Sequence, residues 1–449
     1  MKIDELDNTL VCDNEDYNTI LSYFKEYRVL PDYIEKSILK IILRHLLNKP
    51  IIRNTIDEYL ELIPDEFIRK AIFDINTMFN PQLKSDYSHR HFAYLLYYLP
   101  ANVFKIWKPL LDLQLRNTLK PHMRVLDIGT GPASVPLGII EYYKALADSY
   151  PNMSFTLDFT LIEAEKEFLD IAEKILFFAA DAAPSNLTIN IEKMICATVS
   201  EDSDFNNLNR FDLITMSNFL NINEGENYTH SLPIIVSLKD CLKDDGSMIV
   251  IEPGEEKSCK YIKRIRNTVV NEKVLNVFSP CIGLWEEKKR YNCECFSMTR
   301  CFWKLPHIFH YLVSKGLHKA KRIDVPFNYV VFRKDDIKKY DILQNAQHLI
   351  KLKDLNQHIG ETVNIIALIR SVIDNKNALS INLCDGSCSF SKGSPAVWIK
   401  ITKEQLRNFG INTPLISAER ITIKKALVSI KGNNYYLQLK KDTRIMIDY

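Results

Sequence analysis

The chain has 449 residues, 46% hydrophobic and 25% charged, with a formal net charge of +2; this composition fits a folded chain of two to four domains and excludes a disordered or fibrous one. No apolar run reaches the roughly 18 residues that span a membrane, and the stretch from Met1 to Asp16 is too acidic and polar for a secretory signal, so a cytoplasmic protein with no membrane partner is expected. Ten cysteines in a large chain of this kind point to reduced thiols or metal ligation, not to a disulfide framework.

Residues 1–84 carry helical apolar stripes, Tyr33 to Leu47 and Ile56 to Ile75, punctuated by Pro31, Pro50, Pro64 and Pro81, and predict a helical N-terminal domain. Ser88 to Leu113 predicts an aromatic-rich helix, a break at Pro100 and a second helix. Its aromatics are expected in the core, and secondarily as a lid over a ligand.

Next comes MRVLDIGTGPASVPLG, Met123 to Gly138. An apolar strand ends in Asp127 and runs into a turn with Gly129, Thr130 and Gly131, after which a helix starts near Ser134. Paired glycines there permit positive φ and close backbone approach to a ligand. A second apolar strand ends in Glu163, where doubly wound folds place an acid on a ribose diol. Further strands, Arg210 to Asn221 and Gly246 to Gly254, keep the strand-helix alternation of a mostly parallel sheet.

These motifs resemble the class I S-adenosylmethionine-dependent methyltransferases. The resemblance implies an α/β fold with a doubly wound sheet over about 85–345. It also implies a cofactor pocket of Asp127, Gly129, Thr130, Gly131 and Glu163, with Ser217 and Asn218 at the end of the fourth strand. Pro132 and Ala133 replace the third glycine of a dinucleotide fingerprint, which disfavours a nicotinamide cofactor. The place after the fourth strand reads Met216-Ser217-Asn218-Phe219 and not N/D-P-P-Y, which argues against methylation of an exocyclic base nitrogen by that route. No catalytic residue is assigned.

Between Lys257 and Lys339 there are 19 Lys and Arg against 7 Asp and Glu, a balance of +12; the remainder holds 39 against 49, or −10. A basic segment in an otherwise acidic chain suggests a polyanionic partner, and RNA contacts are expected from Lys288, Lys289, Arg290, Arg300 and Lys304. The same segment holds Cys281, Cys293, Cys295 and Cys301, whose spacing matches no paired C-x-x-C zinc pattern. Clustered thiols nevertheless point to zinc or an iron–sulfur centre.

The order of HFAYLLYYLPANV, VLDIGTGPASV, FDLITMSNFLN, IVIEPG, SPC, CECFSMTR and FNYVVFRK resembles a methyltransferase-like family of the small ribosomal subunit that includes mitochondrial ribosome assembly factors. The likeness covers about Ser88 to Lys334. It implies a four-iron, four-sulfur cluster on a proline-cysteine, here Cys281, on two later cysteines, here Cys293 and Cys295, and on a fourth that is either Cys301 or Cys384, with Cys388 and Cys259 as outsiders; local spacing favours Cys301. It also implies small-subunit ribosomal RNA as partner.

From Glu361 five β-runs with turns at Asp385-Gly386 and Gly432-Asn433-Asn434 predict a small closed barrel over 350–449. It resembles an OB fold of replication-protein-A type, in which Trp398, Lys400, Tyr435 and Tyr436 are candidates for stacking or phosphate contact. Three functions are consistent with these features: an RNA methyltransferase, a non-catalytic assembly factor that binds the cofactor, and a protein methyltransferase.

Overall fold

The computed structural model describes residues 1–449 apart from 5, 7, 26–27, 78–89, 206, 221–230, 286–290, 294–297, 318–323, 344–345, 347, 388–394, 412–418 and 449. The helices are α1 (Asn14–Lys25), α2 (Asp32–Leu47), α3 (Ile56–Leu60), α4 (Asp65–Thr77), α5 (Arg90–Ala93), α6 (Leu99–Asn102), α7 (Trp107–Gln114), α8 (Ser134–Ser149), α9 (Lys166–Asp181), α10 (Ser231–Asp240), α11 (Glu256–Asn271), α12 (His307–Ser314) and α13 (Lys403–Asn408). The strands begin with β1 (Lys2–Asp4), β2 (Thr9–Val11), β3 (His122–Ile128), β4 (Phe155–Glu163), β5 (Leu187–Cys196), β6 (Phe211–Ser217), β7 (Leu242–Pro253) and β8 (Asn276–Ser279). They continue with β9 (Thr299–Phe302), β10 (Asp324–Arg333), β11 (Thr362–Asn375), β12 (Ala378–Cys384), β13 (Val397–Thr402), β14 (Arg420–Lys431), β15 (Asn434–Gln438) and β16 (Arg444–Asp448). Two compact units result, Met1–Phe219 with Cys301–Val325, and Leu220–Arg300 with Pro326–Tyr449.

In the first unit a short hairpin of β1 and β2, absent from the sequence expectation, precedes the helices. Pro31 precedes α2, which buries Ile34, Ile38, Ile41 and Ile42 at helical spacing. Pro64 marks the boundary between α3 and α4, as expected of it. Pro100 does not break the aromatic helix: it sits in the first turn of α6, and the preceding turn, Tyr94–Tyr98, widens to a π-helix. A proline lacks the N–H and crowds the carbonyl four residues back, which a wider turn relieves.

Four other strands of this unit run parallel in the order β5-β4-β3-β6, with order reversing at β3. Gly138 lets α8 approach the 103–106 turn, since a Cβ there would lie 2.0 Å from the Val103 carbonyl oxygen. Trp107 Nε1 donates to the Gly138 carbonyl at 2.9 Å across the same contact.

In the second unit β10 runs antiparallel to both β7 and β8, giving the order β7-β10-β8. The C-terminal strands close a five-stranded barrel, β11-β12-β13-β15-β14 and back to β11, and β16 extends β14. All its pairings are antiparallel except β13 with β15, and α13 lies between β13 and β14 in sequence, the arrangement of an OB fold. Alternating inward residues such as Ile365, Ala367, Leu379, Ile381, Leu383, Ile399 and Ile401 fill it. Among the described residues, no helix is long and apolar enough to cross a membrane.

Candidate cofactor site and cysteine site

The carboxyl ends of β3, β4 and β6 meet where strand order reverses, the position at which open α/β sheets bind ligands. Asp127 ends β3 almost fully buried, and Thr215, its partner in register on β6, donates Oγ1 to Asp127 Oδ1 at 2.6 Å. Burial pushes the Asp127 carboxyl up to about 7, and the charge of Glu163 adds to this; hydrogen bonds from Thr215 and Thr130 act the other way.

The turn after β3 is built for close approach. Gly129 and Gly131 have φ of +67° and +53°, and Ala133 takes the same left-handed region at +67°. The N–H groups of Gly129 and Thr130 donate to the Ile162 carbonyl at 2.9 and 3.2 Å, tying the turn to the end of β4. Gly131 N–H donates to Glu163 Oε2 at 2.8 Å, while Glu163 Oε1 accepts from Glu165 N–H at 3.1 Å. Burial raises the Glu163 carboxyl, offset by the Gly131 and Ala164 N–H groups and the charge of Arg90. Arg90 pairs with Glu165 at the start of α9, beside Glu163.

Ser217 ends β6, Asn218 follows with φ +52°, and the ring of Phe219 lies over Gly129. All seven expected pocket residues therefore belong to the first unit, clustered at one end of its sheet. Sequence reasoning missed Thr215 and Phe219. The first declares itself only through strand register, the second only through packing.

The cysteines separate. Cys301 lies in the first unit, its thiol pushed up to about 12 by burial, with Arg28 and Lys105 lowering it. Cys281, Cys293 and Cys384 lie together in the second unit: Cys281 and Cys384 line one cavity of about 30 Å³, and charge on Cys281 and Cys293 adds to the burial that pushes Cys384 up to about 12. Cys384 takes an outward position on β12 and shares that cavity with Cys281. Among the described residues, no group of three or more His, Cys, Asp or Glu side chains is arranged to hold a metal ion. Cys295 and Cys388 lie outside the described residues.

Asp385, expected to serve only a turn, is fully buried and accepts four hydrogen bonds. Its Oδ2 takes Trp285 Nε1 at 2.7 Å and Leu352 N–H at 2.8 Å, and its Oδ1 takes the N–H and hydroxyl of Ser387 at 2.9 and 2.6 Å.

The basic segment is not all surface. Lys263, Arg266, Arg333 and Lys339 are at most 3% exposed, and Arg333 and Lys339 pair with Asp335 and Glu419. Arg300 and Lys304 are exposed in different units, and Lys288, Lys289 and Arg290 lie outside the described residues. On the barrel, Trp398 and Lys400 point outward and Trp398 is in register with outward Tyr436, whereas Tyr435 packs on the barrel core.

The parallel order β5-β4-β3-β6 with its glycine turn and acid pair, and the antiparallel β10 between β7 and β8, define the class I methyltransferase type of α/β fold, here joined to an OB-type barrel. No protein-family model matches the chain, and no curated protein matches it. Among solved structures it is similar to the plantazolicin methyltransferase BpumL in complex with a monoazolic desmethylPZN analogue and SAH, at 13% identity over 62% of this chain and 99% of that one, with a TM-score of 0.28. A SAM-dependent methyltransferase from Methanosarcina mazei gives 13% identity over 50% and 97%, with a TM-score of 0.28. A murine DNA-binding protein bound with double-stranded DNA gives 14% identity over 24% of this chain and 56% of that one, with a TM-score of 0.18.

Proposed function

We propose that the first unit binds S-adenosylmethionine and that the chain is a methyltransferase-type protein acting on RNA of the small ribosomal subunit. The observation that carries the cofactor reading is Glu163, raised by burial and hydrogen-bonded to Gly131 N–H at the point where strand order reverses. Its two oxygens keep lone pairs for a ribose diol, while Gly129 and Gly131 leave the turn without side chains against the rest of the cofactor. When bound, the cofactor supplies an electrophilic methyl group on a sulfonium. The protein's part is to orient the acceptor and exclude water. A calorimetric titration tests this: Glu163→Ala should weaken S-adenosylmethionine binding at least tenfold, and unchanged affinity would refute the pocket.

RNA is the favoured partner because Trp398, Tyr436 and Lys400 share the outer face of β13 and β15, a stacking platform with a cation beside it. Crosslinking in cells with sequencing of bound RNA tests it, and recovery of no small-subunit RNA would overturn it. Binding without turnover is the second reading, favoured by one observation: Ser217, Asn218 and Phe219 after β6 offer no acid or base, and the Phe219 ring covers Gly129. Transfer of labelled methyl to bound RNA separates the two.

We further propose a thiolate-held metal, a four-iron, four-sulfur cluster or zinc, on Cys281, Cys293, Cys384 and Cys295. What supports the reading is that Cys281 and Cys384 line one cavity and that charge on Cys293 acts on Cys384. Brown protein containing iron and sulfide, after anaerobic purification, supports the cluster; zinc alone leaves the thiolate site and removes the iron.

A further inference from the structure

Two acids stand at the carboxyl ends of neighbouring strands in the cofactor site, and their surroundings differ. Glu163, on β4, accepts Gly131 N–H at 2.8 Å and Glu165 N–H at 3.1 Å, with the charge of Arg90 beside it. Asp127, on β3, is 2% exposed. Its carboxyl takes Thr215 Oγ1 at 2.6 Å and a bond from the Thr130 hydroxyl, which also donates to the Asp127 carbonyl at 3.2 Å. The groups that act on this carboxyl come from both strands paired with β3 and from the turn after it: Thr215 on β6, Glu163 on β4 and Thr130 in the turn. No cation is among the described residues that act on it, and the one charge in the set, Glu163, is of its own sign.

A carboxylate taken out of water with no cation to balance it keeps its proton to higher pH than an exposed one, and an opposite charge brought near favours the ionised form again. S-adenosylmethionine carries both a sulfonium and an ammonium on its methionyl part and no charge on its nucleoside. We propose that Asp127 is the residue selective for this positive charge, protonated in the free protein and giving up its proton when the charged cofactor binds. The O–H bond of the carboxyl breaks, the proton passes to the buffer, and the carboxylate that remains balances a charge of the cofactor. Burial raises the carboxyl to about 7, which brings the exchange within reach of neutral pH. Glu163, favoured in its charged form by Arg90 and its N–H donors, is left to the uncharged ribose hydroxyls. Thr215 is a positioning residue, since its hydroxyl holds Asp127 Oδ1 and favours the carboxylate. The inference rests on the S-adenosylmethionine pocket proposed above and adds what selects the cofactor's charged part.

The test uses the full chain and two ligands, S-adenosylmethionine and the neutral 5′-methylthioadenosine, which keeps the adenine and ribose and lacks both charges. Calorimetric titrations between about pH 6 and about pH 8, repeated in buffers of different ionisation enthalpy, give the affinity and the protons released. Thermal unfolding at each pH reports whether the protein is folded. The bound state holds fewer protons than the free one, so S-adenosylmethionine affinity should rise with pH, about tenfold across this range, and level off above it. Release should approach about one proton per site at the acid end. 5′-Methylthioadenosine should bind with little pH dependence and without that proton.

Asp127→Asn keeps an oxygen for Thr215 Oγ1 and cannot ionise. It should bind S-adenosylmethionine at least tenfold more weakly at the alkaline end, with no proton released, while 5′-methylthioadenosine affinity stays close to wild type. Thr215→Val removes a donor that favours the carboxylate and should move the midpoint of the pH dependence upward. If Asp127→Asn does not fold, wild type with the two ligands and Thr215→Val carry the comparison. S-adenosylmethionine binding that is independent of pH would overturn the inference and leave the pocket. Equal proton release with both ligands would assign the proton to the ribose acid Glu163 and overturn it likewise. A wild type that binds neither ligand would overturn the pocket and this inference with it.

Discussion

Gly129 and Gly131 sit two residues apart in one turn, both at positive φ, yet alanine should act very differently at the two. A Cβ at Gly129 would lie 2.6 Å from Phe219 Cδ2 and 3.3 Å from Cγ, whereas a Cβ at Gly131 meets nothing within 4 Å. The left-handed conformation costs an L-residue roughly 1–2 kcal/mol at either position. At Gly129 the ring must also move, and overpacking of this kind costs about 1–3 kcal/mol more. Gly131→Ala is therefore expected to destabilise by roughly 1–2 kcal/mol and Gly129→Ala by roughly 2–5 kcal/mol. Chemical unfolding of the full chain measures both, and calorimetry with S-adenosylmethionine reports the pocket. The double variant Gly129→Ala/Phe219→Leu completes a cycle in which the ring contribution appears as a coupling of about 1–3 kcal/mol. Equal destabilisation by the two alanines, or strict additivity in the cycle, would refute the placement of Phe219 over the turn.

Asp127→Asn should change how stability depends on pH. With its carboxyl raised from 3.8 to about 7, the folded state binds more protons than the unfolded one across that window, so stability falls as pH rises from about 4 to 7, by up to roughly 4 kcal/mol. The asparagine variant should show a flatter profile, and identical slopes by thermal unfolding at pH 5 and 8 would count against it. Glu35 accepts Ile308 N–H at 2.8 Å and His307 N–H at 3.2 Å at the start of α12, so Glu35→Ala should cost about 1–3 kcal/mol on unfolding; a change under half a kilocalorie on the order-of-magnitude scale of surface substitutions would contradict the cap. On the barrel, Trp398→Ala should weaken single-stranded RNA binding by about 1–3 kcal/mol. Lys400→Ala should lower the salt slope by about 1, and unchanged RNA affinity in both variants would move the interface elsewhere.

The sheet and the barrel are legible in the sequence because each writes a local pattern. Buried parallel strands appear as short apolar runs ending in Asp127 and Glu163, and the barrel as five β-runs with turn residues between them. The turn after β3 is legible for the same reason: Gly129 and Gly131 are where φ turns positive. Ala133 shows the limit of reading glycine as a requirement, since it takes φ +67° with a methyl group, and Ala133→Gly would relieve that strain while adding entropy to the unfolded chain. The π-helix at Tyr94–Tyr98 and the β1–β2 hairpin left no comparable periodic signal.

What stayed hidden is whatever depends on long-range register. Thr215 meets Asp127 only because β6 pairs with β3 at that offset, and Cys384 meets Cys281 although 103 positions separate them. Proximity along the chain does not set the direction in which a strand presents its side chain, so a spacing argument alone could not reveal Cys384. The charge count misled in the same way. It registered Lys263 and Arg266 as part of a basic surface, whereas both are buried against sulfur. A charge surplus along the sequence cannot say which cations face solvent and which the fold buries. Exposure and burial separate by salt: RNA held through exposed Lys400 should dissociate steeply as salt rises, while the buried Lys339–Glu419 pair is screened little and its contribution to stability should scarcely change.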